Sequence, residues 1–129
     1  MQSQRLPPLT AEDHLVLIEI GGNDLIANVP SMTFEKNLEA LLRRVSASER
    51  TVVMFELPLL PHKISYGRIQ RRLARQYGVW LIPKKYLVSV IRGANATSDG
   101  LHLTIEGTQR MADLVEAALS PLLVPAQWK

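Results

Sequence analysis

The chain has 129 residues, 47% of them hydrophobic and 21% charged, with a formal net charge of +3, which fits one domain over residues 1–129 with a modest single core and no disordered tail. Zero cysteines exclude disulfides, thiolate nucleophiles and Cys-based metal sites together. A sequence pI near 9.5 permits contact with anionic partners, yet no clustered aromatics or nucleic-acid motif accompany it, so no nucleic-acid partner is expected.

Met1 to Pro8 hold no apolar run that reads as a signal peptide, and no later segment has the length of a membrane span. As written, the chain is expected to be soluble and cytoplasmic, or exported if a signal peptide precedes it. Leu15-Val16-Leu17-Ile18-Glu19-Ile20 is a short apolar, β-branched run stopped by Gly21-Gly22. It predicts a strand buried on both faces and ending in a tight turn. Pro30 and Ser31 then open a helical pattern in which Phe34, Leu38, Leu41, Leu42 and Val45 form one stripe. Glu35, Lys36, Glu39, Arg43 and Arg44 take the wet side. A second strand, Thr51 to Leu57, ends at Pro58, and the Pro58-Leu59-Leu60-Pro61 loop cannot extend it. The stretch from Pro58 to Tyr66 reads equally as a substrate-facing loop and as a tight structural crossover.

A basic helix is expected from about Ser65 to Tyr77, with Ile69, Leu73 and Tyr77 inward and Arg68, Arg71, Arg72 and Arg75 outward. Such a charge run reads as a solvated helix face. Gly78 ends it, and Val79 to Ile82 form a third strand stopped by Pro83. Tyr86 to Ile91 give a turn of helix before the Gly93-Ala94-Asn95 loop. Thr104 is placed to cap a last helix, closed by Pro121 or Pro125, whose Met111, Leu114, Val115, Ala118, Leu119 and Leu122 keep helical spacing.

Strands alternating with helices predict a parallel sheet covered on both faces, and such sheets meet ligands at the carboxyl ends of their strands. Gly21-Gly22-Asn23-Asp24 lies just past the first strand, and the Asp99-Gly100-Leu101-His102 loop should emerge on the same edge after the third. A histidine with one ring nitrogen on a carboxylate can use the other as a general base, so Asp99 and His102 are catalytic candidates. The plain reading stands beside this: Asp99 caps a turn with a surface His102, and Asn23 and Asp24 cap another. His14 and His62 have no ligand spacing to His102, so no metal site is expected. No Gly-x-Gly-x-x-Gly or Walker-type pattern is present, which argues against a nucleotide, and no cofactor is expected.

Gly21-Gly22-Asn23-Asp24 after a hydrophobic strand, followed about seventy-five residues later by Asp99-Gly100-Leu101-His102 before the last helix, resembles the third and fifth sequence blocks of the SGNH hydrolases, or GDSL-type esterases and lipases. The likeness runs from about Leu15 to Leu119. It implies a flavodoxin-like three-layer α/β/α sandwich and a serine hydrolase of carboxylic esters, acyl thioesters or acetylated carbohydrates. By this resemblance His102 is the general base, Asp99 orients its imidazole, and Asn23 donates its side-chain amide to the oxyanion. Gly21 and Gly22 let the backbone turn to present Asn23, and Asp24 holds the loop. The partner so implied is a small-molecule ester or acylated substrate.

The family's Gly-Asp-Ser nucleophile block and its second glycine block are absent from these residues. Ser3 lies in a polar tail, and Ser31, Ser65 and Ser89 read as helix-start, loop and helix positions, so no nucleophile is assigned. The expectation is a carboxyl-terminal two-thirds of such a hydrolase, its sheet incomplete on the N-terminal side and inactive alone. The alternative is a truncated, non-catalytic remnant or an acyl- or carbohydrate-binding module. The first strand, Leu15 to Ile20, would then leave an open edge that recruits a partner strand or a second copy.

Overall fold

The computed structural model describes residues 8–22, 24, 27–58, 64–98 and 102–123. The expectations for Ser3, Asn23, Leu59 to Pro61, His62, Asp99 and Pro125 lie outside the described residues. The fold is α/β. Strands β1 (Leu15–Ile18), β2 (Thr51–Phe55) and β3 (Trp80–Ile82) form a parallel sheet in the order β1-β2-β3. Helices α1 (Ser31–Val45), α2 (Ile64–Tyr77), α3 (Lys84–Ile91) and α4 (Ile105–Leu119) alternate with or follow the strands, and a 3-10 turn, Ser120–Leu122, comes last. No helix among the described residues is long and apolar enough to cross a membrane. The chain divides into two compact units, Met1–Leu81 and Ile82–Lys129.

In the first unit β1 and β2 pair in register from Leu15 on Thr51 to Ile18 on Met54. The strand stops at Ile18, two residues short of the expected end, and it is not buried on both faces: Leu17 is 38% exposed whereas Ile18 is buried. The reason is alternation at a sheet edge. Val16 and Ile18 turn to the core, while Leu15 and Leu17 point to the other face, where only half-cover is found. β2 is the buried strand, with Val52 and Met54 in the core cluster and Val53 and Phe55 buried on the opposite face.

All five stripe residues of α1 are buried. Each such side chain removed from water contributes about 1.5–3 kcal/mol, so packing rather than propensity holds the helix. Polar side-chain contacts join α1 to α2: Ser31 Oγ to Ser65 Oγ at 2.7 Å, Glu35 to Arg72 as an ion pair, and Arg43 Nε donating to Tyr77 Oη at 2.9 Å. Ser65 is therefore a helical residue rather than a loop one. On α2 the expected Ile69 and Leu73 are buried, Tyr77 is half-buried, and the arginines at 68, 71, 72 and 75 are exposed. At the amino end of the sheet one guanidinium gathers three chain segments. Arg50 donates to the carbonyls of Thr10 at 2.8 Å, Asp13 at 2.7 Å and Val45 at 2.7 Å.

In the second unit α3 starts at Lys84, directly after Pro83 and two residues earlier than the spacing predicts, with Leu87 and Val90 buried. A proline with fixed φ serves as the helix entry there, which the apolar pattern alone does not register. α4 is capped as expected: Thr104 Oγ1 accepts from the Gly107 amide at 3.1 Å. Its apolar stripe is less enclosed than expected. Leu119 and Leu122 are buried, but Met111, Leu114, Val115 and Ala118 are only half-covered, in keeping with the small share of surface so short a unit can bury by itself. The helix gives way at Ser120 to the turn that holds Pro121.

Candidate functional site

The glycine turn follows the carboxyl end of β1. Gly21 has φ +99°, and a Cβ there would stand 3.0 Å from Leu57 Cδ1 and 3.1 Å from Phe34 Cε1. Both the left-handed backbone and the close approach call for glycine. Gly22 and Asp24 take helical backbone immediately afterwards. The Asp24 carbonyl accepts from the Val29 amide at 3.0 Å, closing the loop on itself. That bond is made by backbone and is independent of the side chain. Asp24 Oδ2 is buried and has no hydrogen-bond partner among the described residues.

Tyr66 of α2 reaches the same loop. Its hydroxyl donates to the Val29 carbonyl and lies 3.4 Å from that of Asp24, while its ring stacks on Phe34 with centroids 4.1 Å apart and planes 7° from parallel. Burial, and then the negative charge of Asp24, push the phenol above its ordinary pKa.

The segment after β2 is held from the same helix. The β2 ladder stops at Phe55 rather than at the expected Leu57, yet Glu56 and Leu57 stay buried. The side chain of Gln70 takes over from a neighbouring strand: its Nε2 donates to the Phe55 carbonyl at 3.2 Å and its Oε1 accepts from the Leu57 amide at 2.9 Å. Glu56, only 5% exposed, pairs with Arg71 at 2.9 Å. Arg71 is therefore more than a solvated charge, as is Arg72 through Glu35.

His102 is exposed and belongs to the second unit. Its loop is pinned by backbone on both sides. Thr97 and Leu103 form an antiparallel bridge, the Ser98 amide donates to the His102 carbonyl at 3.1 Å, and the Thr104 amide donates to the Ala96 carbonyl at 2.9 Å. Thr104 Oγ1 also donates to the Asn95 carbonyl while capping α4. His102 thus stands two residues before the Thr104 cap of α4.

Gly21, Gly22 and Asp24 are brought together at one turn of the first unit, and His102 is carried by the second; Asn23 and Asp99 lie outside the described residues. Tyr66, Gln70 and Glu56 were missed by the sequence reading. A signal for two of them was present, since 66, 70, 73 and 77 fall on the same helical face as the Ile69–Leu73 stripe. A stripe drawn from apolar residues alone passes over them.

Comparison with known proteins gives the following. The family model described as GDSL-like Lipase/Acylhydrolase family matches residues 1–110. Esterase TesA of Pseudomonas aeruginosa is 27% identical over 128 residues, covering 92% of this chain and 63% of the esterase. Thioesterase 1/protease 1/lysophospholipase L1 of Escherichia coli K12 is 26% identical over 129 residues, covering 92% of this chain and 61% of that protein. A crystal structure of TesA superimposes with a TM-score of 0.72 at 25% identity, covering 85% of this chain and 64% of the TesA chain. The chain thus spans a little over three-fifths of the length of these relatives.

Proposed function

The chain belongs to the GDSL-like lipase/acylhydrolase family, and from that premise we propose that it supplies the base and oxyanion side of an ester or thioester hydrolase site. His102 takes the proton from a serine nucleophile and returns it to the leaving group, Asp99 orients the imidazole, and Asn23 donates to the tetrahedral oxyanion. One such oxyanion donor is worth about 2.7–4 kcal/mol of transition-state stabilisation. The observation that carries this reading is the pinned His102 loop opening a capped helix in a chain of this family.

The nucleophile is assigned to none of the serines of these residues. Ser31 and Ser65 bond each other, and Ser89 donates to the Tyr86 carbonyl. The substrate class follows that of the relatives, an esterase and a thioesterase: an acyl ester or thioester.

The test is hydrolysis of p-nitrophenyl acetate by the chain and by His102→Ala, each alone and fused behind a segment that carries the family's Gly-Asp-Ser block. The chain alone is expected to match its His102→Ala variant and to take no label from a fluorophosphonate probe. The fusion is expected to hydrolyse the ester in a His102-dependent way. A labelled serine in the chain alone overturns the nucleophile assignment; a fusion indifferent to His102 overturns the esterase reading and favours a non-catalytic binding module.

A further inference from the structure

Two polar side chains of α2, one helical turn apart, are sunk among apolar neighbours, and each reaches the backbone of a different segment beyond the sheet. Tyr66 and Gln70 are both 1% exposed. The first donates to the Val29 carbonyl beyond β1; the second bonds Phe55 and Leu57 at the end of β2. Filling space at these positions requires only apolar side chains, and a buried polar tip helps only when it is fully satisfied. Both tips are spent on main chain at the carboxyl edge of β1 and β2, the edge where α/β sheets meet ligands.

The two held segments also touch each other. Leu57, whose amide Gln70 fixes, forms with Phe34 the wall that a Cβ on Gly21 would crowd at 3.0 and 3.1 Å. Phe34 in turn lies under the Tyr66 ring. The glycine turn is thereby seated on a wall set by Gln70 and tied at its far end by Tyr66.

We propose that Tyr66 and Gln70 are the positioning residues of the glycine turn, holding Gly21, Gly22 and Asp24 in their working conformation through the Val29 carbonyl and the Phe55–Leu57 backbone. The inference rests on the reading of this turn as part of an acyl-hydrolase site, and its primary readouts do not require hydrolysis. Tyr66→Phe keeps the ring and its stack and removes only the hydroxyl. Gln70→Met keeps most of the volume and removes both bonds.

Native-state hydrogen exchange is followed at the amides of Val29 and Leu57, with those of Leu42 and Leu73 as references in the helices, and the Asn23 side-chain amide is followed by NMR. Tyr66→Phe is expected to speed exchange at Val29 about tenfold, and Gln70→Met to do so at Leu57, with the references moving less than about threefold. Both variants are expected to shift the Asn23 side-chain resonances. References that accelerate as much as Val29 and Leu57, or an Asn23 amide unmoved in both variants, overturn the positioning role and leave two ordinary core hydrogen bonds. In the fused form both variants should lower kcat with KM held within about twofold, and a KM change alone counts against the proposal. Loss of all hydrolysis in the parent fusion sinks the functional reading by itself, and the exchange and resonance data still decide this one.

Discussion

Gly107 is packed against the carbonyl of Ala96 so closely that a Cβ at position 107 would stand 1.9 Å from that oxygen. The first turn of α4 and the strand of chain leading to His102 are thereby in direct backbone contact. Helix propensity favours alanine over glycine by about 1 kcal/mol, but the overlap forces the loop and helix apart. Gly107→Ala is expected to destabilise by about 1–3 kcal/mol in urea unfolding, with the amide of Thr104, bonded to Ala96, losing exchange protection. A stabilising effect would mean that the loop yields without cost.

The two glycines after β1 should respond differently. A side chain at Gly21 meets both a left-handed backbone and the Leu57–Phe34 wall, whereas nothing lies within 4 Å of a Cβ on Gly22. Gly21→Ala is expected to cost about 1–3 kcal/mol, and Gly22→Ala no more than about 0.5 kcal/mol. Chemical denaturation of the pair checks this, and equal losses would contradict the geometry.

Alkaline titration should single out Tyr66. Its phenol is raised above the ordinary tyrosine value by burial and by Asp24, so the folded state prefers the neutral form more than the unfolded state does. That preference is intact below about pH 10 and is lost as pH climbs through the folded value. Stability of the parent chain should therefore fall more steeply above about pH 10 than that of Tyr66→Phe. Parallel slopes in the two proteins, measured by unfolding at fixed pH steps, would remove Tyr66 as the cause.

Neighbouring arginines of α2 should differ in the same assay. Arg71 pairs with a Glu56 side chain only 6% exposed, and Arg72 with a Glu35 side chain 37% exposed. Water screens the second pair and can replace it, so Arg72→Met should cost less than about 0.5 kcal/mol. Arg71→Met strips a partner from a buried carboxylate and should cost about 1–2 kcal/mol. A reversed order would show that the burial of Glu56 is not the deciding factor.

Among the described residues β1 pairs with β2 alone, and Leu17 on its outward face is 38% exposed. On the expectation that β1 lacks a second neighbour, it would recruit another strand. The 129-residue chain is expected to associate in light scattering at micromolar concentration, and Leu17→Lys to reduce that association. A stable monomer at all concentrations would argue against strand recruitment.

The parts of the fold that could be read from sequence are those written in spacing. The α1 stripe from Phe34 to Val45 is a 3.6-residue pattern and is buried as read, and Thr104 announces the start of α4 by its residue type and position. Strand ends were overshot at both Ile20 and Leu57, because an apolar run continues past the last ladder bond and says nothing of where pairing stops. The α/β class followed from strands alternating with helices, and the family from Gly21-Gly22-Asn23-Asp24 and the Asp99 to His102 loop, in agreement with the match over residues 1–110. What stayed hidden was main-chain and polar. Gln70 acts as a substitute strand for Phe55 and Leu57, and although its position falls on the buried helical face, its polar side chain does not say which backbone it meets. The clasp around His102 is made of amides and carbonyls that every residue possesses, so no composition rule could point to it.

Arg50 gives the chain a different kind of freedom. Its guanidinium fastens the approaches to β1 and β2 and the end of α1 at the amino edge, opposite the glycine turn. Strand registry is thereby anchored at a distance from the segments that leave Gly21 and Pro58. Changes in those segments are expected to leave the strands in step. The register of β1 on β2 is thus held from the end of the sheet that takes no part in the glycine turn.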